Sequence, residues 1–270
     1  MAELESQMRS ASLSERNGAV ALCIGSSQHP YKREGVSTSG VDLRSKRRYR
    51  AALRGDEGLT DILKDVQTFK KVLEHLPDVE VLRPFVGKAG SGALTRGLFL
   101  NKMLNLVSHS DKEIFLLYYA GHGLRGSSLR SPEEVGAFYM EDTAPVTFAD
   151  MMKIWEARPG RKRRQRLIIV ADSCHSGGLV EQLKNVPKRE RDVLNVGIQA
   201  ACLANEFSEG GIFTEVFAQK QLKRKNFMWQ KLKAAHKGQE VQYPTFYCTW
   251  GGTSASSGDF EFHFFKRPTR

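Results

Sequence analysis

Residues 166–177 read "RLIIVADSCHSG". The first half is apolar and β-branched. The second half is small and turn-forming, with Asp172 and Cys174 at the break. A short continuous apolar run of this kind fits a strand buried on both faces. Two other runs have the same shape, "AVALCIG" (19–25) and "EIFLLYYAGHG" (113–123). Weaker strand candidates are "DVEVLRPFV" (78–86), "VLNVGIQAACLA" (193–204) and "PTFYCTW" (244–250). Helical patterns lie between them. Leu59, Ile62, Leu63, Val66, Phe69, Val72, Leu73 and Leu76 recur every three or four residues as one amphipathic stripe. Residues 95–109, 148–157 and 212–223 predict further helices. Alternating strands and helices predict an α/β/α sandwich, a mostly parallel central sheet of about six strands with helices on both faces. Sites in such sheets form at the carboxyl ends of strands, where both His122 and Cys174 fall.

The chain has 270 residues, a hydrophobic fraction of 40% and a formal net charge of +11. That hydrophobic fraction excludes a disordered chain. No stretch approaches the roughly 18 apolar residues of a membrane span, and residues 1–18 form a polar tail without the apolar core of a secretory signal. Cys23, Cys174, Cys202 and Cys248 are widely spaced, which predicts reduced thiols in a cytoplasmic protein rather than a disulfide framework or zinc ribbon. The positive charge gathers in "RSKRRYR" (44–50), "RKRRQR" (161–166), "KNVPKRER" (184–191) and "KQLKRK" (220–225). These runs fall between structured segments without a recognisable nucleic-acid module, so solvated loops are expected and nucleic acid is not the expected partner. Residues 26–58 read as a long basic loop or insertion, and residues 181–193 as a charged linker.

A cysteine at a strand end is a core thiol or a nucleophile. A nucleophilic thiol needs a partner that generates or stabilises the thiolate, most often histidine. His122 lies between two glycines in "YYAGHGLRG", where the backbone is accessible to a substrate and its N–H groups to a developing oxyanion. His175 adjoins Cys174 and points elsewhere, and His109 sits in a polar turn.

"YYAGHG" followed, 52 residues from histidine to cysteine, by "DSCHSG" resembles the caspase-like cysteine peptidases, in particular the metacaspase branch. Caspases carry Q-A-C-[RQG]-G around their cysteine; this chain has Asp172-Ser173-Cys174-His175-Ser176-Gly177 instead. The likeness extends over about residues 19–250, including the first strand, the helix "LTDILKDVQTFKKVL" and "GIQAACLANEFSEGGIFTEVF". It implies a caspase-like fold with a large-subunit-like region (19–180), a linker (181–193) and a small-subunit-like region (194–270). It implies that His122 is general base and acid, that Cys174 is the nucleophile, and that the backbone amides of Gly123 and Cys174 form the oxyanion hole. Position 120, often serine in the family, is alanine here.

Two acids bear on specificity. Projected at about 100° per residue, Asp65 falls inside the apolar arc of the 59–76 helix. A buried carboxylate needs a hydrogen-bonding reason, a cationic partner or a functional role. Asp172 ends an apolar strand two residues before the cysteine, and alternation puts 172 and 174 on one face. By the resemblance, Asp65 and Asp172 line the primary specificity pocket and select arginine or lysine, so protein substrates cut after a basic residue are expected. Lys184, Lys188, Arg189 and Arg191 then become self-cleavage candidates, with an uncut solvated linker as the alternative. The resemblance also raises calcium activation, for which Asp150 and Glu181 are the acids near matching positions. Calcium takes about six to eight oxygen ligands, and no cofactor is required for the chemistry itself. Metacaspases tend to be monomeric, which favours a monomer here. Rival readings are cleavage after aspartate and a catalytically silent scaffold. The "FEFHFF" stretch (260–265) has no assigned role.

Overall fold

The computed structural model describes residues 18–26, 57–76, 78–87, 92–124, 135–142, 144–162, 164–208, 210–223 and 242–250. The basic loop at 44–50 and the "FEFHFF" stretch lie outside them. Strands β1 (Ala19–Ser26), β2 (Val79–Val81), β3 (Phe85–Gly87), β4 (Ile114–Gly121), β7 (Arg166–Ser173), β8 (Val196–Ala200) and β9 (Thr245–Cys248) form one seven-stranded sheet in the order β2-β1-β4-β7-β8-β9. Strand β3 also pairs with β1. Pairing is parallel throughout except for antiparallel β9 on β8. A two-stranded antiparallel ribbon, β5 (Phe138–Tyr139) with β6 (Pro145–Val146), stands apart.

The seventh strand comes from residues 78–86, expected as one strand. Val79–Val81 runs along the first half of β1 and Phe85–Gly87 along the second. Pro84 sits in the break, where its missing N–H cannot serve a ladder. Helices α1 (Glu57–Glu74), α2 (Arg96–Val107), α3 (Phe148–Glu156), α4 (Gly177–Asn185), α5 (Lys188–Leu194) and α6 (Ile212–Lys223) complete the described fold. Thr95 caps α2 by accepting from Leu98 N–H, and Thr147 and Asp150 form a capping box on α3. Helix α5 departs from the expected irregular linker. Pro187 is its N-cap, a place where a missing N–H costs no helical bond, and Asn195 ends it in the left-handed conformation.

Alternation along the three central strands sorts the core. Val20, Leu22, Ile24, Phe115, Leu117, Tyr119, Leu167, Ile169 and Ala171 pack with α2, α3 and α4 on one face. Ala19, Ala21, Cys23, Leu116, Tyr118, Ala120, Ile168 and Val170 pack on the other face with Ile62, Val66, Phe69 and Leu73 of α1 and Phe213, Val216 and Phe217 of α6. Burial on both sides is why these strands read as continuous apolar runs. Asp172 continues the 168–170 row, so it lies on the α1/α6 side. No described helix is long and apolar enough to cross a membrane.

Candidate functional site

The site grows from the register of β4 and β7. Ala120 pairs with Asp172 and Gly121 with Ser173, so His122 and Cys174 are the next residues beyond the ladder on adjacent strand ends. Both are half-buried where the strands behind them are fully buried. The backbone of His122 is clamped: its carbonyl accepts from Tyr139 N–H at 2.9 Å and lies 3.1 Å from the hydroxyl of buried Tyr119. Leu124 N–H donates to Ala137 O at 3.1 Å, and Gly123 bridges to Phe138. A Cβ on Gly123 would overlap the carbonyl oxygen of Cys174. Glycine is what lets the histidine segment close on the cysteine.

His175 is held for structure. It takes a left-handed backbone conformation (φ 59°), its N–H donates to Glu206 O at 2.9 Å, and its ring nitrogen Nδ1 lies 3.0 Å from Ala204 O. Its ring meets Phe207 edge to face at 4.8 Å. That geometry turns it away from the chemistry assigned to His122.

Cys174 Sγ donates to the carbonyl of Ser208 at 3.5 Å. Burial pushes the thiol up to about 11, with the charge of Asp172 adding to it and hydrogen bonds to the Ser208 and Cys174 backbone opposing it. Such an environment favours the neutral thiol over the thiolate.

The two acids converge on the segment after β8. Asp172 is 5% exposed and Asp65 is 4% exposed. Asp172 accepts from the Ser208 hydroxyl at 3.0 Å on Oδ1 and from the Thr214 hydroxyl at 2.7 Å on Oδ2. Asp65 Oδ2 accepts the Gly211 N–H at 3.0 Å, beside the amino end of α6. Thr214 has one proton and gives it to Asp172, so the contact at 2.5 Å with the Tyr118 hydroxyl must run from Tyr118 to Thr214. Tyr118 is itself fixed by stacking on Phe69, centroids 4.1 Å apart. Burial raises both carboxyls above the ordinary range. For Asp65 the charge of Asp172 adds to burial, while at Asp172 the two hydroxyls oppose it. Among the described residues, the hydrogen bonds these carboxylates receive come from neutral donors. Ala120, the register partner of Asp172, is buried beside it, and its side chain offers no polar atom.

Ser208, Gly211, Thr214 and Tyr118 were not foreseen. Their signal lay in "SEGGIFT" and "LLYY", where small polar residues and a buried tyrosine are common without function. The self-cleavage candidates lie in helices. Lys184 lies in the last turn of α4, and Lys188, Arg189 and Arg191 belong to α5. Lys184 and Arg191 both face the Tyr247 ring, at 5.6 and 5.9 Å. Of the calcium candidates, Asp150 is engaged in its capping box and pairs with Arg96 at 2.6 Å, while Glu181 is exposed on α4. The described residues contain no cluster of three or more acids, histidines or cysteines fit to hold a metal.

A family model described as the caspase domain matches residues 48–249. No curated protein matches the chain. Among solved structures, the crystal structure of drICE aligns with 87% of this chain and 88% of its own, at 14% identity and a TM-score of 0.45.

Proposed function

The chain belongs to the caspase-domain family of cysteine-type endopeptidases, and from that premise we propose that it hydrolyses peptide bonds after arginine or lysine, as the metacaspase branch does. The observation that carries this reading is the pair of buried acids, Asp65 and Asp172, joined to the segment that contacts the nucleophile and supplied only with neutral donors among the described residues. Two carboxylates beside the thiol attract a guanidinium or ammonium and repel an aspartate. A pocket for aspartate needs cations where this one has acids.

In the proposed reaction His122 takes the proton of Cys174, and the thiolate attacks the carbonyl carbon after the basic residue. The backbone N–H groups of Gly123 and Cys174 stabilise the oxyanion. His122 then gives its proton to the leaving amine, and a thioester links Cys174 to the acyl fragment. His122 next deprotonates a water that attacks the thioester and restores the thiol. This chemistry uses no cofactor. Self-cleavage at Lys184, Lys188, Arg189 or Arg191 belongs to the same reading, and requires α5 or the end of α4 to unwind into an extended strand first.

The test is a set of fluorogenic peptides differing only in arginine, lysine or aspartate before the scissile bond, assayed with and without calcium. Arginyl and lysyl peptides are expected to be cut at least about a hundredfold faster in kcat/KM than the aspartyl one, the scale of a lost buried charge pair. Cys174→Ala abolishes the activity. Preferential cutting after aspartate overturns the specificity, and persistence of activity in Cys174→Ala overturns the nucleophile.

A further inference from the structure

Ser208 makes two contacts that nothing in the dyad chemistry requires. Its hydroxyl donates to Asp172 Oδ1 at 3.0 Å, while its carbonyl accepts the thiol of Cys174 at 3.5 Å. One residue thus touches both the specificity acid and the nucleophile. Its neighbours are anchored on each side. Glu206 accepts His175 N–H through its carbonyl, and its carboxylate receives the N–H groups of Leu203 and Tyr243. Gly211 donates to Asp65, and Thr214 to Asp172. Between these anchors Phe207 is half exposed, and Gly211 takes a left-handed backbone (φ 83°) with open space around it. Ser208 is itself half-buried, tied to the site by its hydroxyl and its carbonyl.

The geometry points to Ser208 as a positioning residue that holds Cys174 in its resting thiol form until a cation occupies the acidic pocket. The Ser208 carbonyl engages the S–H proton that His122 has to take. A guanidinium that pairs with Asp172 replaces the neutral hydroxyl with a charge-assisted bond about twice as strong. Ser208 then loses its tether, its carbonyl leaves the sulfur, and the proton becomes available to His122. Selectivity would arise twice, once in binding and once in waking the nucleophile. The inference rests on the basic-residue reading above for the identity of the trigger, but not for the tether itself.

The experiment measures alkylation of Cys174 by iodoacetamide at pH 7, located by peptide mass mapping, with and without n-propylguanidinium. Binding of n-propylguanidinium is measured separately by calorimetry. Freeing the S–H from its acceptor leaves the proton to His122, and labelling is expected to rise at least about tenfold. Wild-type protein is expected to be slow alone and accelerated by the cation. Ser208→Ala is expected to be fast without it and insensitive to it, and Ser208→Thr, which keeps the hydroxyl, to behave as wild type. Ser208→Ala labelled at the wild-type rate overturns the proposal, as does Ser208→Thr labelled as fast as Ser208→Ala. If Ser208→Ala is fast while neither protein binds n-propylguanidinium, the tether stands and the basic-pocket reading falls.

Discussion

At the scale of single residues, the informative pair is Asp65 and Asp172, because two acids so deeply buried carry a standing cost. Both hold their protons above the ordinary carboxylate range, Asp65 through burial and the neighbouring charge of Asp172. Protonated, they do not attract a cation. Affinity for an arginyl peptide is therefore expected to be weak at acid pH and to strengthen as pH rises through about 6, where Asp172 ionises, and about 8, where Asp65 does. Asp65→Asn should raise KM for that peptide and move the acid limb of the profile downward, since the carboxyl that titrates near 8 is gone and only Asp172, near 6, remains. Stability moves the other way. A raised folded-state value means the folded chain binds more protons than the unfolded one, so this group costs stability as pH climbs through the window between the two values. Asparagine does not titrate and its carbonyl oxygen still accepts from Gly211. Asp65→Asn is expected to melt higher than wild type at neutral pH and to lose that advantage in acid. Thermal melts at several pH values, set beside KM profiles, check both halves. A variant that loses stability at neutral pH would show that Asp65 is structural.

At the scale of elements, catalysis depends on how closely two strand ends approach. The β4–β7 register delivers His122 and Cys174 side by side, and the β5 contacts clamp His122 from its other edge. Gly123 is the point of closest approach, where any side chain meets the Cys174 carbonyl. Gly123→Ala is expected to fold, because the clash lies at the strand ends and not in the core. Its kcat/KM should fall at least about a hundredfold through misplacement of the dyad by an ångström or so. Circular dichroism beside an arginyl-peptide assay separates lost geometry from lost fold. The elements were largely legible beforehand. Strands β1, β4 and β7 stand out because burial on both faces demands unbroken apolar runs, and α1 because one buried face demands a stripe. Helix α5 was hidden. Its seven residues hold a single buried side chain, Leu194, too few for a periodicity to show. The β2–β3 division was hidden too, since each half is only three residues long.

At the scale of the molecule, no contiguous stretch holds the site. It draws Asp65 from α1, His122 from just beyond β4, Asp172 from β7 and Cys174 from just beyond it, Ser208 from the segment leading into α6, and Thr214 from the first turn of α6. Chain beyond α5 is bound to chain before it by the parallel β7–β8 ladder and by α6 packed on α1. A single cut in the exposed Lys184–Arg189 stretch is expected to leave two fragments that co-elute under native conditions and separate only in denaturant. Native gel filtration after limited trypsin treatment checks this, and early separation would mean that the continuous chain is needed to hold the sheet.

The sequence by itself determined the layered α/β architecture and the strand-end positions of His122 and Cys174, because burial periodicity and glycine-flanked breaks are local properties of a chain. It also marked Asp65 and Asp172 as carboxylates in apolar surroundings. Only the tertiary structure decided that both acids meet one segment, that Thr214 and Tyr118 orient Asp172, and that the Ser208 carbonyl holds the thiol. Those contacts join residues 34 to 146 positions apart, and hydroxyls, backbone carbonyls and amides carry no pattern that announces their partners. Their meaning is fixed by where α6 packs against α1, which is a property of the assembled core.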